Sequence, residues 1–134
     1  MKLKFFKIIV VIVYFFTACE DTINENIDNI IIPSQNESYN QYIQPVFNYK
    51  CTNSGCHNSE DRAGELSLSS WAEARNDPSI IFPGLPESSR LVWSIEPKYG
   101  SAFPMPPPYS SVLPLTQNQI DGIITWIKEG AENN

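Results

Sequence analysis

The chain has 134 residues and carries nine Lys and Arg against fifteen Asp and Glu, a formal net charge of −6 at pH 7. This length suits one small domain rather than several. The acidic balance excludes the usual nucleic-acid-binding classes, because contacts to phosphates depend on Lys and Arg. We therefore expect no nucleic-acid partner.

The N-terminal residues have the pattern of an export signal. Three lysines flank or interrupt an apolar run from Phe5 to Phe16, which is too short to span a bilayer comfortably. Two small residues then lead into Cys19, a pattern that resembles a lipoprotein signal. We predict a signal peptide over residues 1–18 and lipidation of Cys19, which would attach the protein to a membrane. An ordinary secretory peptide and an uncleaved anchor are the alternatives, and all three predict export.

Cleavage before Cys19 would leave an even more acidic chain. Three of the nine Lys and Arg precede Cys19, whereas all fifteen Asp and Glu follow it, so the mature net charge would be −9. Residues 19–37 are rich in Asn, Asp and Glu and predict a polar tether, with a contact to the domain at the apolar run of residues 30–32. The domain is predicted to occupy residues 38–134.

The first predicted helix of the domain precedes a pair of cysteines. Apolar residues from Tyr39 to Phe47 recur at helical spacing and form one face. Pro45 lacks a backbone N–H and is awkward inside a helix. The helix is therefore expected to begin near Ile43, with Pro45 in its first turn, or to be kinked at Pro45.

Further short helices are predicted along the rest of the chain. Ser69 or Ser70 could cap a helix over residues 71–75, and a second is expected over about residues 87–95. The last helix begins at a capping box of Thr116 and Gln119. Its isoleucines recur at helical spacing, which indicates core packing rather than chemistry.

The cysteine pair belongs to the motif that organises the domain. Residues 51–57 read CTNSGCH, a C-x4-C-H run that is two residues longer than the C-x-x-C-H signature of covalent c-type haem attachment. In such a site two thiols form thioethers to the haem vinyl groups, and the adjacent histidine is the proximal iron ligand. His57 is the only histidine of the chain, and Cys51 and Cys56 are its only cysteines besides Cys19.

Two other interpretations of the motif stay open on these residues alone. Cys51 and Cys56 could form a disulfide in an oxidising compartment, with His57 as an incidental neighbour. Cys51, Cys56 and His57 could also be three ligands of a zinc ion, although the chain has no second Cys or His pair to complete that site.

The order of these features resembles that of class I c-type cytochromes, and the planctomycete-type cytochrome c domain in particular. The resemblance covers roughly residues 38–131. The matching segments, in chain order, are IQPVF at 43–47, C…CH at 51–57, LSL at 66–68, PGLPESSRLV at 83–92, FPMPP at 103–107, LT at 115–116 and WIKEGA at 126–131. The spacing between the cysteines departs from this family, in which two residues usually separate them.

The resemblance implies an all-α fold in which three to five short helices and Pro-rich loops surround one haem. It implies that Cys51 and Cys56 are the thioether sites, that His57 is the proximal ligand and that Met105 is the distal ligand. Met105 lies in a Pro-rich stretch, residues 99–114, that cannot form regular structure. The haem would sit in a crevice between the N- and C-terminal helices and the Met105 loop.

The implied function is one-electron transfer in the cell envelope by a carrier that holds one covalent haem c. We therefore expect an electron-transfer protein rather than an enzyme, lipid-anchored through Cys19 at the outer membrane and facing the periplasm or the outer surface. The mature charge of −9 predicts a redox partner with a basic docking patch. The alternatives are a haem enzyme or small-ligand sensor with a labile sixth site, and a haem-free binding module with a Cys51–Cys56 disulfide.

Overall fold

The computed structural model of the chain describes residues 26–134, which contain four α-helices and no β-strand. The helices are α1 (Gln44–Lys50), α2 (Trp71–Ala74), α3 (Arg90–Ile95) and α4 (Gln117–Lys128). The prediction of a small all-α fold is thereby confirmed. The predicted signal peptide and Cys19 lie outside the described residues.

None of the helices within residues 26–134 combines the length and the apolar character that crossing a membrane requires. Single turns of other helical types precede the first helix or lie between the others. A π-helical turn spans Tyr39–Ile43, and 3-10 turns span Ile27–Asn29, Ala63–Glu65, Pro86–Ser88 and Pro97–Tyr99.

The structure shows where Pro45 lies in the first helix. The π-helical turn Tyr39–Ile43 runs directly into α1, and Pro45 falls in the first turn of α1. A proline costs little there, because the first N–H groups of a helix have no partner within it. Cys51 is the C-cap residue of α1, so the helix ends where the motif begins.

Helix α3 is shorter than the sequence predicts. Residues 86–88 form a 3-10 turn, and Ser89 has an extended backbone, so the helix begins only at Arg90. The buried Ser89 hydroxyl accepts a hydrogen bond from the Phe82 N–H at 2.8 Å and donates to the Leu85 carbonyl at 3.2 Å. These bonds between side chain and backbone compete with helix formation at this residue.

The last helix, α4, matches its sequence signals. The Gln119 N–H donates to the Thr116 hydroxyl, and the Thr116 N–H donates to the Gln119 side chain, which completes the predicted capping box. The predicted cap of α2 is also present, since the Ser70 hydroxyl accepts a hydrogen bond from the Glu73 N–H.

Three buried aromatic rings join the two ends of the domain. The Tyr39 ring lies 5.0 Å from the Trp126 ring and 6.3 Å from the Phe47 ring, measured between centroids. Phe47 and Trp126 also meet edge to face at 6.3 Å. Because such rings bury large apolar areas, this cluster fixes α1 against α4 and thereby fixes the start of the motif.

The described part of the predicted tether, residues 26–37, lies against the domain. Ile27 and Ile32 are buried in the core. The Asn118 side chain accepts from the Ile32 N–H at 2.8 Å and donates to the Ile32 carbonyl at 3.0 Å. Asp28 forms an ion pair of 2.8 Å with Lys50, a buried residue of α1.

Candidate functional site

A cavity of about 430 Å³ lies between the chain that follows α1, helix α3 and the loop that follows α3. Cofactor sites in proteins typically have volumes of roughly 300–1,000 Å³. Most of the wall is apolar, and its aliphatic residues include Leu66, Leu68, Ile80, Leu91 and Ile95. The cavity therefore has the size and character of a site for an apolar group.

Three of the four predicted haem-binding residues lie on this wall: Cys51, His57 and Met105. Cys56 is half-buried and is not part of the wall. The structure thus brings the two predicted axial ligands to one cavity, although 48 positions separate them in the sequence.

The C-terminal helix does not contribute to this cavity. None of the lining residues comes from α4. The expectation of a crevice between the N- and C-terminal helices is therefore corrected, since α3 and the segment 63–68 supply the walls. Helix α4 packs behind the site, because its apolar face is already occupied by the aromatic cluster and by Ile27 and Ile32.

The orientation of His57 is set by backbone contacts on both sides. Its ring Nδ1 lies 2.8 Å from the Ala63 carbonyl oxygen, a partner that can only accept, so Nδ1 carries the proton. The His57 N–H donates to the Cys51 carbonyl at 2.9 Å, and the His57 carbonyl accepts from the Leu68 N–H at 2.8 Å. The second ring nitrogen, Nε2, is left with a free lone pair, which is the arrangement of a metal-binding histidine.

The environment of the Cys51 thiol differs from that of Cys56, because only Cys51 lines the cavity. Both are free thiols. Burial raises the pKa of Cys51 to about 12, and the neighbouring Cys56 adds to that shift. Cys51 is therefore a neutral thiol at physiological pH. Its position at the end of α1 places its side chain on the cavity wall.

Met105 reaches the cavity through the Pro-rich loop. Its backbone N–H donates to the Ser94 carbonyl of α3 at 2.8 Å, and its side chain is half-buried against the core. Phe103, two residues earlier, also lines the cavity but is 78% exposed, so it lies at the mouth. The loop thus presents one thioether to the interior of the cavity.

Arg90 is the only Lys, Arg, Asp or Glu among the residues that line the cavity. It is exposed, so the cavity has an apolar interior and a charged edge. Trp93 lies on the same side, where its ring N–H donates to the Glu87 carbonyl at 2.7 Å. Neither Arg90 nor Trp93 stands out in the sequence as a site residue.

No sequence pattern marks the Ala63 carbonyl as part of the site either. A backbone acceptor has no signature in the residue type, so no pattern predicts that Ala63 holds the His57 ring. The side chains of Asn58 and Asp61 form hydrogen bonds to the motif loop, and no sequence pattern marks them either. Within residues 26–134, no group of three or more His, Cys, Asp or Glu side chains is arranged to hold a metal ion.

Comparison with known proteins identifies the region that contains these residues. Residues 54–109 match the family model described as planctomycete cytochrome C. This match includes Cys56, His57 and Met105 and begins three residues after Cys51. No curated protein and no solved structure matches the chain. The matched residues supply every residue of the cavity wall except Cys51, so this match supports a planctomycete-type cytochrome c domain.

Proposed function

We propose that this protein is an electron carrier that holds one covalent haem c with His57 and Met105 as axial ligands. A cytochrome c domain is a haem-binding domain and is typical of electron transfer rather than of catalysis on a substrate. The observation that carries the proposal is the shared cavity, in which a histidine with a free Nε2 and a thioether line one apolar wall.

The residues of the cavity fit this cofactor. Apolar side chains form most of the wall, as a largely apolar macrocycle requires. The donor set of one imidazole nitrogen and one thioether sulfur matches the ligation of cytochromes c. Cys51 borders the same wall, and Cys56 immediately precedes His57, so both thiols are close in sequence to the proposed proximal ligand.

Each residue has a separate task in this proposal. Cys51 and Cys56 would hold the cofactor covalently, and His57 would bind the iron through Nε2. The Ala63 carbonyl keeps the His57 proton on Nδ1 and makes the ring a stronger donor. Met105 would supply the sixth ligand, a soft sulfur that favours ferrous iron and so raises the potential.

The chain itself supplies an environment rather than acid–base catalysis. Reversible one-electron exchange is the chemistry that haem iron supplies when bound. The apolar wall would keep water away from the ligands of a bound iron, and the low dielectric constant of such a site would change the relative stability of the two charge states of the iron. The only histidine is used as a ligand in this proposal, so no second histidine is left to act as a general base.

We also propose that the protein works outside the cytoplasm, anchored by lipid on Cys19. The support comes from the sequence alone: a basic, apolar leader followed by small residues and Cys19. The redox partner would carry a basic docking patch, because the mature chain would have a net charge of −9.

Spectroelectrochemistry of the purified exported protein tests the proposed electron-carrier function. We expect a reversible one-electron transition between two low-spin spectra, and no reaction of the reduced protein with carbon monoxide at neutral pH. Rapid carbon monoxide binding would instead support a haem enzyme or sensor with a labile sixth site.

A further inference from the structure

The four residues between Cys51 and Cys56 form a closed loop. The His57 N–H donates to the Cys51 carbonyl at 2.9 Å, which brings the two ends of the loop together. Within it, the Cys56 N–H donates to the Asn53 carbonyl at 2.9 Å. The additional residues of the C-x4-C-H run are therefore accommodated as a bulge, while Cys56 and His57 remain next to the end of α1.

Two polar side chains that follow the motif tie this bulge together, and we name them the Asn58–Asp61 clip. The Asn58 amide donates to the Asn53 carbonyl at 3.1 Å and to the Asp61 carboxylate at 2.7 Å. The same Asp61 oxygen accepts from the Gly55 N–H at 2.6 Å. One amide and one carboxylate thus hold both the beginning and the end of the bulge.

The two members of the clip are also joined through the backbone. The Asn58 side-chain oxygen accepts from the Glu60 N–H at 2.8 Å and from the Asp61 N–H at 2.7 Å, which fixes the turn between its two members. Gly55 has a φ of +77°, a conformation that other residues rarely adopt, so the Gly55 N–H can face Asp61 at little steric cost. The contacts of the clip therefore define where Cys56 stands relative to Cys51.

We propose that Asn58 and Asp61 are positioning residues for haem attachment, and that their clip compensates for the two additional residues between the cysteines. The inference rests on the proposed covalent haem. Each thiol adds across one vinyl double bond: a sulfur–carbon bond forms, the π bond is lost, and the thiol hydrogen passes to the other vinyl carbon. No oxidant or leaving group is needed, so the position of each thiol decides whether both attachments occur.

The test counts thioethers in clip variants of the exported holoprotein. Asn58→Ala removes all four side-chain hydrogen bonds of Asn58. Asp61→Ala removes the two hydrogen bonds that the Asp61 carboxylate accepts, from the Gly55 N–H and the Asn58 amide. After denaturation, alkylation with iodoacetamide and peptide mass mapping report which cysteine still carries a free thiol. We expect two thioethers in the unaltered protein and a free Cys56 thiol in most molecules of either alanine variant.

Asp61→Asn is the conservative comparison, because its amide oxygen can still accept from the Gly55 N–H and the Asn58 amide. We expect this variant to carry two thioethers, as the unaltered protein does. Asp77→Asn is the matched control, since Asp77 is an exposed aspartate whose carboxylate accepts one backbone N–H, from Ser79 at 2.8 Å, and Asp77 does not line the cavity. Thermal unfolding of every variant separates lost stability from lost attachment.

The outcomes separate this inference from the proposed function. If the unaltered protein carries no covalent haem, the proposed function fails and the clip has no such task. If the unaltered protein has two thioethers and both alanine variants keep them, the proposed function stands and the clip inference is overturned. A fall in melting temperature without any free Cys56 thiol would likewise overturn the inference, because it would show a purely structural clip. Should Asn58→Ala fail to accumulate, the comparison of Asp61→Ala with Asp61→Asn decides the question.

Discussion

Met105 is joined to Ser94 by a backbone hydrogen bond of 2.8 Å, which attaches the Pro-rich loop to helix α3 on the wall of the cavity. The bond uses only main-chain atoms, so the position of the loop does not depend on the methionine side chain. The role of the thioether can therefore be tested without removing the contact that holds the loop.

Replacement of Met105 with alanine should leave the cofactor attached and open the sixth coordination site. We expect the variant to bind carbon monoxide or cyanide, and its reduction potential to fall because a donor that favours ferrous iron is lost. Optical spectra with and without these ligands, together with a redox titration, measure both effects. Leu113→Ala, in the same loop region but exposed and absent from the cavity wall, is the control. Low-spin spectra, an unchanged potential and no ligand binding in Met105→Ala would show that Met105 is not the ligand.

Glu37 should make the stability of the domain depend on pH. Its side chain is 1% exposed, and neither carboxyl oxygen has a hydrogen-bond partner among the described residues. Burial, with the nearby Glu129 carboxylate, raises its pKa from 4.5 to about 7. The folded state therefore keeps this proton at pH values where the unfolded chain has lost it, so the free energy of unfolding should decrease as the pH rises from about 4.5 to about 7.

The Glu37→Gln variant should lose this component of the pH dependence and should be more stable than the unaltered protein above pH 7. Urea unfolding at a series of pH values measures the difference. Glu87→Gln, a change of the same kind at an exposed position, should leave the profile as it is. An identical pH profile for Glu37→Gln and the unaltered protein would rule out Glu37 as its source.

Gly122 and Ile32 should be energetically coupled. A Cβ atom at Gly122 would come within 2.7 Å of the Ile32 side chain, so Gly122→Ala should displace the N-terminal segment and cost about 1–3 kcal/mol of stability. In an Ile32→Ala background the space is open, and the higher helix propensity of alanine should make the same change neutral or stabilising by up to about 1 kcal/mol. A double-mutant cycle from denaturant unfolding measures this coupling. If Gly122→Ala changed the free energy of unfolding equally in the two backgrounds, Gly122 and Ile32 would not be energetically coupled.

Much of the fold could be predicted because its signals are local. The capping box of Thr116 and Gln119 and the Ser70 cap each depend on residues within one helical turn, and both are present. The start of α3 could not be predicted in the same way. It depends on bonds from the Ser89 hydroxyl to Phe82 and Leu85, and nothing in the residue types indicates those partners.

The same distinction between local signals and long-range contacts applies to the candidate site. His57 and the cysteines stand out because the motif and the scarcity of these residues mark them. The placement of Met105 on the same cavity wall depends on the tertiary path of the loop, and the role of the Ala63 carbonyl is carried by the main chain. The contact of residues 26–37 with the domain was visible in sequence only as an apolar run, whereas the Asp28–Lys50 pair and the Asn118 bonds join distant positions.

Association with a redox partner should be strongly sensitive to salt. A mature chain of net charge −9 would be steered towards a basic surface, and exposed charges are screened beyond roughly 8–10 Å at physiological ionic strength. We expect the bimolecular rate of electron transfer with a basic small redox protein to fall steeply as salt is added, and to be lower with an acidic one. Stopped-flow reduction at several salt concentrations checks this. A rate that does not change with ionic strength would favour an apolar contact at the cavity mouth.

The central claim is that the chain carries one haem bound covalently through Cys51 and Cys56. Its most direct test is the intact mass of the exported protein after extraction with acidified acetone and alkylation under denaturing conditions. We predict a mass increased by one haem, with neither Cys51 nor Cys56 alkylated, and no such increase in a Cys51→Ser, Cys56→Ser double variant. A protein that yields its haem to acetone, or that has none and alkylates at both cysteines, would contradict the claim.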